Sequence, residues 1–222
     1  MKTRFLPIVL AVFLPTGPLA FGAESWSTYL DFWNKAAGFP GTTTPNTWSY
    51  GSAATGGKDA AFSFTAFTDN NLEIQIPTGG PLYKHANPGA PEPCVARANA
   101  AWYPGAPPMP PYLFVHPGEN RYAIVRWKAP KAGSYQVKAT FLASGLIGMK
   151  DVGIVRYKEA GAKAEVMKST LINRETPKSD QAKYEGALKL DEGEFLAFYV
   201  GDGGDGHASD AVGLDVVITA EK

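Results

Sequence analysis

Short apolar segments, separated by clusters of glycine, proline, aspartate and lysine, recur along the second half of the sequence. In residues 135–141 every second residue is apolar, as in a strand that buries one face. Comparable segments are expected to be strands at 122–127, 135–141, 151–157, 164–171, 184–190, 194–200 and 214–219. Because no helices alternate with them, the pattern predicts an all-β, antiparallel β-sandwich of jelly-roll type.

Two pairs of neighbouring strands are expected to form hairpins. Residues 122–127 and 135–141 flank a turn at 129–133. Residues 61–67 and 72–76 alternate in the same way and flank the turn Asp69-Asn70-Asn71.

Two other segments depart from the strand pattern. In residues 25–37, Trp26, Tyr29, Leu30 and Trp33 would share one face of a helix, with Ser25 as its cap, which predicts one short N-terminal helix. Residues 77–111 are rich in proline and show little periodicity, so a long Pro-rich loop is expected there.

The start of the chain has the pattern of a secretory leader. Basic residues precede an apolar run at 5–14, and small residues follow, which predicts a signal peptide at 1–22 and a single domain at 23–222. The apolar run is too short to span a bilayer. The domain is therefore expected to be secreted or extracytoplasmic, in the periplasm or at the cell surface. Its single cysteine, Cys94, has no partner for an intrachain disulfide.

Charge and motifs remove several classes of function. The 21 acidic and 21 basic residues balance, so net charge gives no support for binding to nucleic acid or an anionic membrane. His85, His116 and His207 are widely separated and form no zinc-type pair. No nucleophile elbow, phosphate-binding loop or dinucleotide fingerprint occurs. A metalloenzyme is therefore not expected.

Four motifs occur in an order that is similar to a known family. They are Trp48-Ser49-Tyr50-Gly51, His116-Pro117-Gly118, Val125-Arg126-Trp127-x-Ala129-Pro130-x-x-Gly133-x-Tyr135, and the glycine- and aspartate-rich segment 201–215. The order resembles bacterial secreted jelly-roll domains that are common in surface proteins with PEP-CTERM sorting signals. Such domains resemble carbohydrate-binding modules and galactose-binding-like folds, so the resemblance implies recognition of an extracellular or cell-surface glycan. Gly153 departs from the pattern, where a larger polar residue is expected.

A glycan site needs flat aromatic faces for the sugar ring and forked polar groups for its hydroxyls. The candidate ligand-binding residues are Trp48, Tyr50, Trp102, Tyr112, His116, Asn120, Arg126 and Asp151. Trp48 suits the core equally well, and Trp127 is expected to be core because it alternates in register with Val125.

A glycine-rich turn carries three carboxylates, Asp202, Asp205 and Asp210. Calcium prefers six to eight hard oxygen ligands from a flexible backbone, so these residues form a candidate calcium site. The alternative is a loop in which the aspartates accept hydrogen bonds from local backbone amides. No other cofactor is expected.

Two alternatives to glycan binding remain. A structural matrix or surface protein without a small ligand would bury its aromatic residues and form no polar depression. A polysaccharide lyase or glycoside hydrolase would bring His116 and Arg126 within hydrogen-bond reach of a carboxylate or of a tyrosine, Tyr112 or Tyr122, that acts as an acid or base. The candidate carboxylates of a hydrolase are Glu73, Glu119 and Asp151. No catalytic residue is assigned on the sequence alone.

Overall fold

The computed structural model describes residues 23–32, 47–55, 63–75, 81–87, 90–98, 112–145, 147–158, 164–176 and 178–221. No helix occurs within these ranges, and none of their elements could therefore cross a membrane as a helix. Their strands are β1 (Ser25–Ser27), β2 (Trp48–Ala54), β3 (Thr65–Ala66), β4 (Asp69–Gln75), β5 (Pro81–Asn87), β6 (Ala90–Ala98), β7 (Leu113–His116), β8 (Arg121–Lys128), β9 (Gly133–Ala143), β10 (Lys150–Tyr157), β11 (Ala164–Ile172), β12 (Gln181–Leu190), β13 (Phe195–Val200) and β14 (Val212–Ala220).

The strands form two antiparallel sheets. The first sheet has the order β12-β9-β14-β7-β6-β5-β4, and β1 also pairs with β14. The second sheet has the order β11-β10-β13-β8-β2-β3. One hydrophobic cluster contains residues of both sheets, which confirms the predicted antiparallel β-sandwich.

Aromatic rings from both sheets meet in the middle of the core. Trp127 on β8 and Tyr135 on β9 are fully buried, and their ring centroids lie 5.1 Å apart in an edge-to-face arrangement. Trp26 of β1 packs against both rings, at 5.3 Å and 5.9 Å. The expectation that Trp127 belongs to the core is confirmed.

The two predicted hairpins are wrong. Strand β8 pairs with β2 and β13 in the second sheet, whereas β9 pairs with β12 and β14 in the first. Similarly, β3 pairs with β2, whereas β4 pairs with β5 in the other sheet. The segment at 129–133 therefore crosses between the sheets, and Trp127 and Tyr135 face each other across the core. Alternation alone fits both arrangements, since each strand buries one face in either case.

The predicted N-terminal helix is also wrong at its beginning. Residues 25–27 form β1, which pairs with β14 and buries Trp26. A turn follows, in which the amide of Asp31 donates to the carbonyl of Ser27 at 2.9 Å. Leu30, expected on the apolar face, is 68% exposed. Burial of Trp26 between two aromatic rings overrides the helical periodicity, and residues 33–37 lie outside the described ranges.

The Pro-rich segment is not a continuous loop. It contains β5 and β6, and β6 pairs with β7 through the register Cys94↔His116. Cys94 and Val95 are buried in this strand. Pro91 and Pro93 fall between the paired residues Ala90 and Cys94, so their missing amide hydrogens remove no ladder hydrogen bond. The structure does not describe residues 99–111, which include Trp102.

Candidate functional site

Three loops meet at one end of the sandwich. They are residues 117–120 between β7 and β8, residues 144–149 between β9 and β10, and residues 201–211 between β13 and β14. Each loop joins one sheet to the other, because Val212 pairs with Val115 in the first sheet and Val200 pairs with Ala123 in the second. Side chains that are distant in the sequence therefore lie together at this end.

A depression with a volume of about 370 Å³ opens between these loops and the ends of β2, β8 and β10. Its lining consists of Thr55, Asn120, Tyr122, Asp151, Asp202, Gly203 and Gly204. Lysine and arginine are absent from this set of described residues. The depression is therefore polar and carries the negative charge of two carboxylates.

Asp151 lies at the start of β10, and its carboxylate is held in one orientation. Its Oδ1 accepts a hydrogen bond from the amide of Gly203 at 3.1 Å, and it also accepts one from the hydroxyl of Tyr122. Burial raises the pKa of Asp151 above its usual value. Burial, followed by the charge of Asp151, raises the pKa of Tyr122, so the phenol remains protonated and able to donate.

Backbone amides also fix the second carboxylate, that of Asp202. The amide of Asn120 donates to Oδ2 at 3.1 Å, and the amide of Gly204 donates to Oδ1 at 3.2 Å. Gly203 and Gly204 have φ values of 62° and 86°, a region that favours glycine. A β-carbon at Gly203 would also collide with the carbonyl of Met149. The glycine-rich turn thus places amides where both carboxylates can accept from them.

The ring of Tyr122 forms the aromatic part of the depression. It is half-buried and packs on Tyr199 with ring centroids 4.9 Å apart. The Tyr199 ring in turn lies over Gly153, where a β-carbon would collide with the Tyr199 hydroxyl. Gly153, where a larger polar residue was expected from the sequence, therefore makes room for the ring that supports Tyr122.

Of the predicted glycan-binding residues, Asn120 and Asp151 line the depression together. Their main partners there are Tyr122 and Asp202. Tyr122 was expected only as the acid or base of a lyase, and Asp202 only as a calcium ligand. In the sequence, these four residues share only their position relative to the strands. Each one lies at or next to the end of a strand, and these strand ends lie on the same side of the sandwich.

Arg126 lies elsewhere, on the outer face of the second sheet. Its Nε donates to Ser49 Oγ at 2.9 Å, and one terminal nitrogen donates to the Tyr157 hydroxyl at 3.4 Å. The guanidinium lies over the rings of Phe64 and Phe195, at 3.8 Å and 4.1 Å from their centroids. These contacts hold Arg126 against its own sheet.

The predicted aromatic faces are not gathered at the depression. Tyr50 is buried, with its ring 4.6 Å from that of His85. Trp48 is half-buried against the core, and its Nε1 donates to Asp31 Oδ2 at 3.4 Å. Tyr112 is half-buried beside Gly213. Trp102 falls in a segment that the structure does not describe.

His116 is buried at the end of β7, where Nδ1 lies 2.7 Å from the carbonyl of Pro117. Its Nε2 lies 3.6 Å from Glu92 Oε1. Burial lowers the pKa of His116 below its usual value, so the ring is neutral at pH 7. His116 and Arg126 have no contact partner in common among the described residues, so the pair that a lyase would require is not assembled.

The three aspartates of the predicted calcium site have separate partners. Asp202 accepts from Asn120 and Gly204, and Asp205 accepts from the amide of Met149 at 3.0 Å. Asp210 is fully buried beside Lys150. Within the described residues, no three side chains of histidine, cysteine, aspartate or glutamate are placed so that they could hold a metal ion together. Calcium binding stays a prediction.

Asp210 and Lys150 form a fully buried ion pair. Lys150 Nζ lies 3.6 Å from Asp210 Oδ1 and donates to the carbonyls of Ile147 and Gly148 at 2.6 Å and 2.7 Å. Among the residues that the structure describes, none donates a hydrogen bond to either carboxylate oxygen of Asp210. Burial raises the pKa of Asp210 to about 7, and burial lowers the pKa of Lys150. Lys150 thus joins the loop at 144–149 to the loop at 201–211.

We predict that this pair makes folding stability depend on pH. Because the pKa of Asp210 is about 7 in the folded state and about 4 in an unfolded chain, the folded state retains a proton that the unfolded state has lost. Raising the pH from 5 to 8 should therefore lower the free energy of unfolding of the wild type relative to Asp210→Asn. Urea unfolding of both proteins at each pH measures the difference, and parallel pH profiles would contradict it.

No protein-family model and no curated protein matches the chain. Similar solved structures include the CBM22-1 xylan-binding domain of Paenibacillus barcinonensis Xyn10C, with 9% identity, 91% of this chain and 98% of that chain covered, and a TM-score of 0.37. CBM51 of Clostridium perfringens GH95, in complex with methyl-galactose, has 12% identity, 88% and 100% coverage, and a TM-score of 0.36. TmCBM61, in complex with β-1,4-galactotriose, has 18% identity, 50% and 70% coverage, and a TM-score of 0.32. All three scores are low, and similarity of this degree carries no conclusion about ligand or activity.

Proposed function

We propose that this chain is a secreted, non-catalytic carbohydrate-binding domain of jelly-roll type that takes an extracellular or cell-surface glycan in the depression. The observation that carries the proposal is the lining of the depression. One aromatic ring, Tyr122, lies beside two carboxylates that backbone amides hold in place. This is the combination of a flat apolar face and fixed polar groups that sugar recognition requires.

The polar groups of the depression suit neutral sugar hydroxyls. The carboxylates of Asp151 and Asp202 accept hydrogen bonds from the amides of Gly203 and Gly204. Their remaining lone pairs can accept hydrogen bonds from the hydroxyls of a ligand. Because the carboxylates are already oriented, binding orders few side chains and loses little conformational entropy. A volume of about 370 Å³ lies at the lower end of the range for small-molecule sites. The depression would thus hold a sugar unit or the end of a chain.

The geometry favours this function over a matrix protein without a ligand and over the proposed lyase. A matrix protein without a ligand was expected to have no polar depression, but one is present. The proposed lyase needed His116 and Arg126 near one another, but their contacts lie on different sheets. Glycan binding is the function that uses the groups which the structure brings together.

The test is binding of the purified protein to soluble polysaccharides. Affinity electrophoresis with β-1,4-galactan, xylan and a soluble cellulose derivative covers the sugars named for the similar structures. For any polysaccharide that slows the wild type in the gel, Tyr122→Ala is expected to weaken binding at least about tenfold. The variant loses both the ring face and the hydroxyl that donates to Asp151. Asp151→Asn should also weaken binding, while keeping the shape of the site.

Asp191→Asn is the matched control for the carboxylate. Asp191 lies beyond β12 at the opposite end of the sandwich, where Phe195 pairs with Lys128, and it is exposed. Its substitution should leave the retardation in the gel unchanged. If both Tyr122→Ala and Asp151→Asn bind as strongly as the wild type, the depression is not the binding site. If none of the polysaccharides slows the wild type in the gel, the result counts against glycan binding itself.

A further inference from the structure

The lining of the depression offers a ligand more hydrogen-bond acceptors than donors. Its two carboxylates, those of Asp151 and Asp202, can only accept while they are ionised. The amides of Gly203 and Gly204 belong to the same lining, but each already donates to one of these carboxylates, at 3.1 Å and 3.2 Å. The hydroxyl of Tyr122 is also occupied, because it donates to Asp151. Few donors are therefore left for a ligand.

The remaining side-chain donors of the described lining belong to Thr55 and Asn120, and both of these side chains can also accept. A ligand that fits this lining therefore brings several donors and few acceptors. A sugar hydroxyl has one donor and two acceptor lone pairs, whereas a protonated amine has three donors and no acceptor. Hydroxyls can use the acceptors of the depression one at a time, but a protonated amine can use three of them together.

The negative charge of the depression has no basic side chain to neutralise it. Among the described residues, no lysine, arginine or histidine forms an ion pair with Asp151 or Asp202. Lys150, next to Asp151 in the sequence, is paired with Asp210. Burial is the main cause of the raised pKa of Asp151, and the charge of Asp202 raises it further, so the two carboxylates repel each other. A cation between them would relieve this repulsion.

The ring of Tyr122 lies next to this charge. Tyr122 is half-buried, and the ring of Tyr199 supports it with a distance of 4.9 Å between the centroids. Its hydroxyl donates to Asp151, so the ring and the carboxylate are adjacent. The face of an aromatic ring attracts a cation, and it also packs against the apolar face of a sugar ring. A sugar that carries a positive charge can therefore use the ring and the carboxylates at once.

We propose that the depression selects a sugar with a free, protonated amino group, such as a glucosamine unit of a deacetylated polysaccharide. The ammonium lies between the carboxylates of Asp151 and Asp202, and the sugar ring packs on Tyr122. N-acetylation of the same sugar removes the charge, leaves one of the three donors and adds a carbonyl acceptor. Sugars with a carboxylate or sulfate group are repelled by the same two carboxylates. This inference rests on the proposed function and names the class of sugar.

The experiment compares two oligomers that differ only in their amino groups. The hexamers of glucosamine and of N-acetylglucosamine have the same linkage and length, and isothermal titration calorimetry with the full chain measures both affinities. At about pH 6 the free amines are protonated. The wild type is expected to bind the glucosamine hexamer at least about tenfold more tightly, because charge-assisted hydrogen bonds are about twice as strong as neutral ones.

Two variants test whether the carboxylates cause this preference. Asp151→Asn and Asp202→Asn each remove one negative charge and keep the size of the side chain, so each should lower the ratio of the two affinities at least about threefold. A variant that only distorts the depression would weaken both hexamers alike and leave their ratio unchanged. Asp191→Asn is the matched control, because Asp191 is an exposed carboxylate paired with Lys158. It should keep the wild-type ratio.

Several results would overturn the proposal. They are equal or tighter binding of the acetylated hexamer by the wild type, a preference that persists in both Asp151→Asn and Asp202→Asn, and an equal loss of preference in Asp191→Asn. If the wild type binds both hexamers equally and Tyr122→Ala weakens both, selection of an amine is wrong, but glycan binding in the depression stands. If neither the hexamers nor the neutral polysaccharides bind, the inference and the proposed function both fail.

Discussion

At pH 8, above the pKa of about 7 of Asp210, replacement of Lys150 by methionine is expected to lower the free energy of unfolding by about 3–5 kcal/mol, the usual cost of leaving a buried charge without its partner. Lys150 and Asp210 are both fully buried, and the ammonium is the only cation within 4.0 Å of the carboxylate among the described residues. Methionine fills similar space but leaves Asp210 without its counter-charge and the carbonyls of Ile147 and Gly148 without a donor. Urea unfolding followed by fluorescence measures the change.

Two further variants separate this effect from a general loss of lysine. Lys158→Met removes an exposed ion pair with Asp191, whose nitrogen-to-oxygen distance is only 2.6 Å, and should hardly change the unfolding midpoint because solvent screens that pair. Asp210→Asn in the Lys150→Met background removes the unpaired charge and should restore much of the lost stability. Equal unfolding midpoints for Lys150→Met and Lys158→Met would show that the buried pair is not required.

The sequence predicts which residues are strands better than it predicts which strands pair. Alternation in residues 135–141 places Tyr135 and Phe141 in the core, as the structure confirms. Strand β9 nevertheless pairs with β12 and β14, both far along the chain, and not with β8. A strand that buries one face shows the same alternation of apolar residues in either sheet. Which strands pair therefore depends on contacts between distant residues, and alternation carries no information about them.

Local periodicity also failed where tertiary packing decides the structure. Pro91 and Pro93 predicted a loop, but prolines are tolerated in β6 because neither occupies a paired position. The burial of Cys94 and Val95, whose neighbours come from other strands, could not be seen in the local sequence.

The candidate site was predicted in part. Asn120 and Asp151 were selected for their chemistry, and the structure places both in the depression. The acidic glycine-rich turn was expected to bind calcium, and this stays a prediction. In the structure, Asp202 of this turn accepts hydrogen bonds from backbone amides.

Replacement of Trp26 by alanine is expected to lower the free energy of unfolding by about 3–5 kcal/mol, the usual cost of truncating a buried tryptophan. Trp26 is 4% exposed, and its ring packs on Trp127 and Tyr135. The loss should therefore open a cavity where the two sheets meet, and β1 should separate from β14. Chemical unfolding gives the change in stability. Hydrogen exchange at the amides of Thr28 and Ala220, which donate to the carbonyls of Val216 and Glu24, reports the separation of the strand.

Leu30→Ala distinguishes the strand from the helix that the periodicity of this segment favours. In a helix, Leu30 and Trp26 would lie on one apolar face, so both substitutions would destabilise the fold. In the structure Leu30 is 68% exposed, and its truncation should change the free energy of unfolding by no more than about 0.5 kcal/mol. Comparable losses of stability from both variants would favour the helix. A large loss from Trp26→Ala alone is the result expected for a strand in which only Trp26 packs into the core.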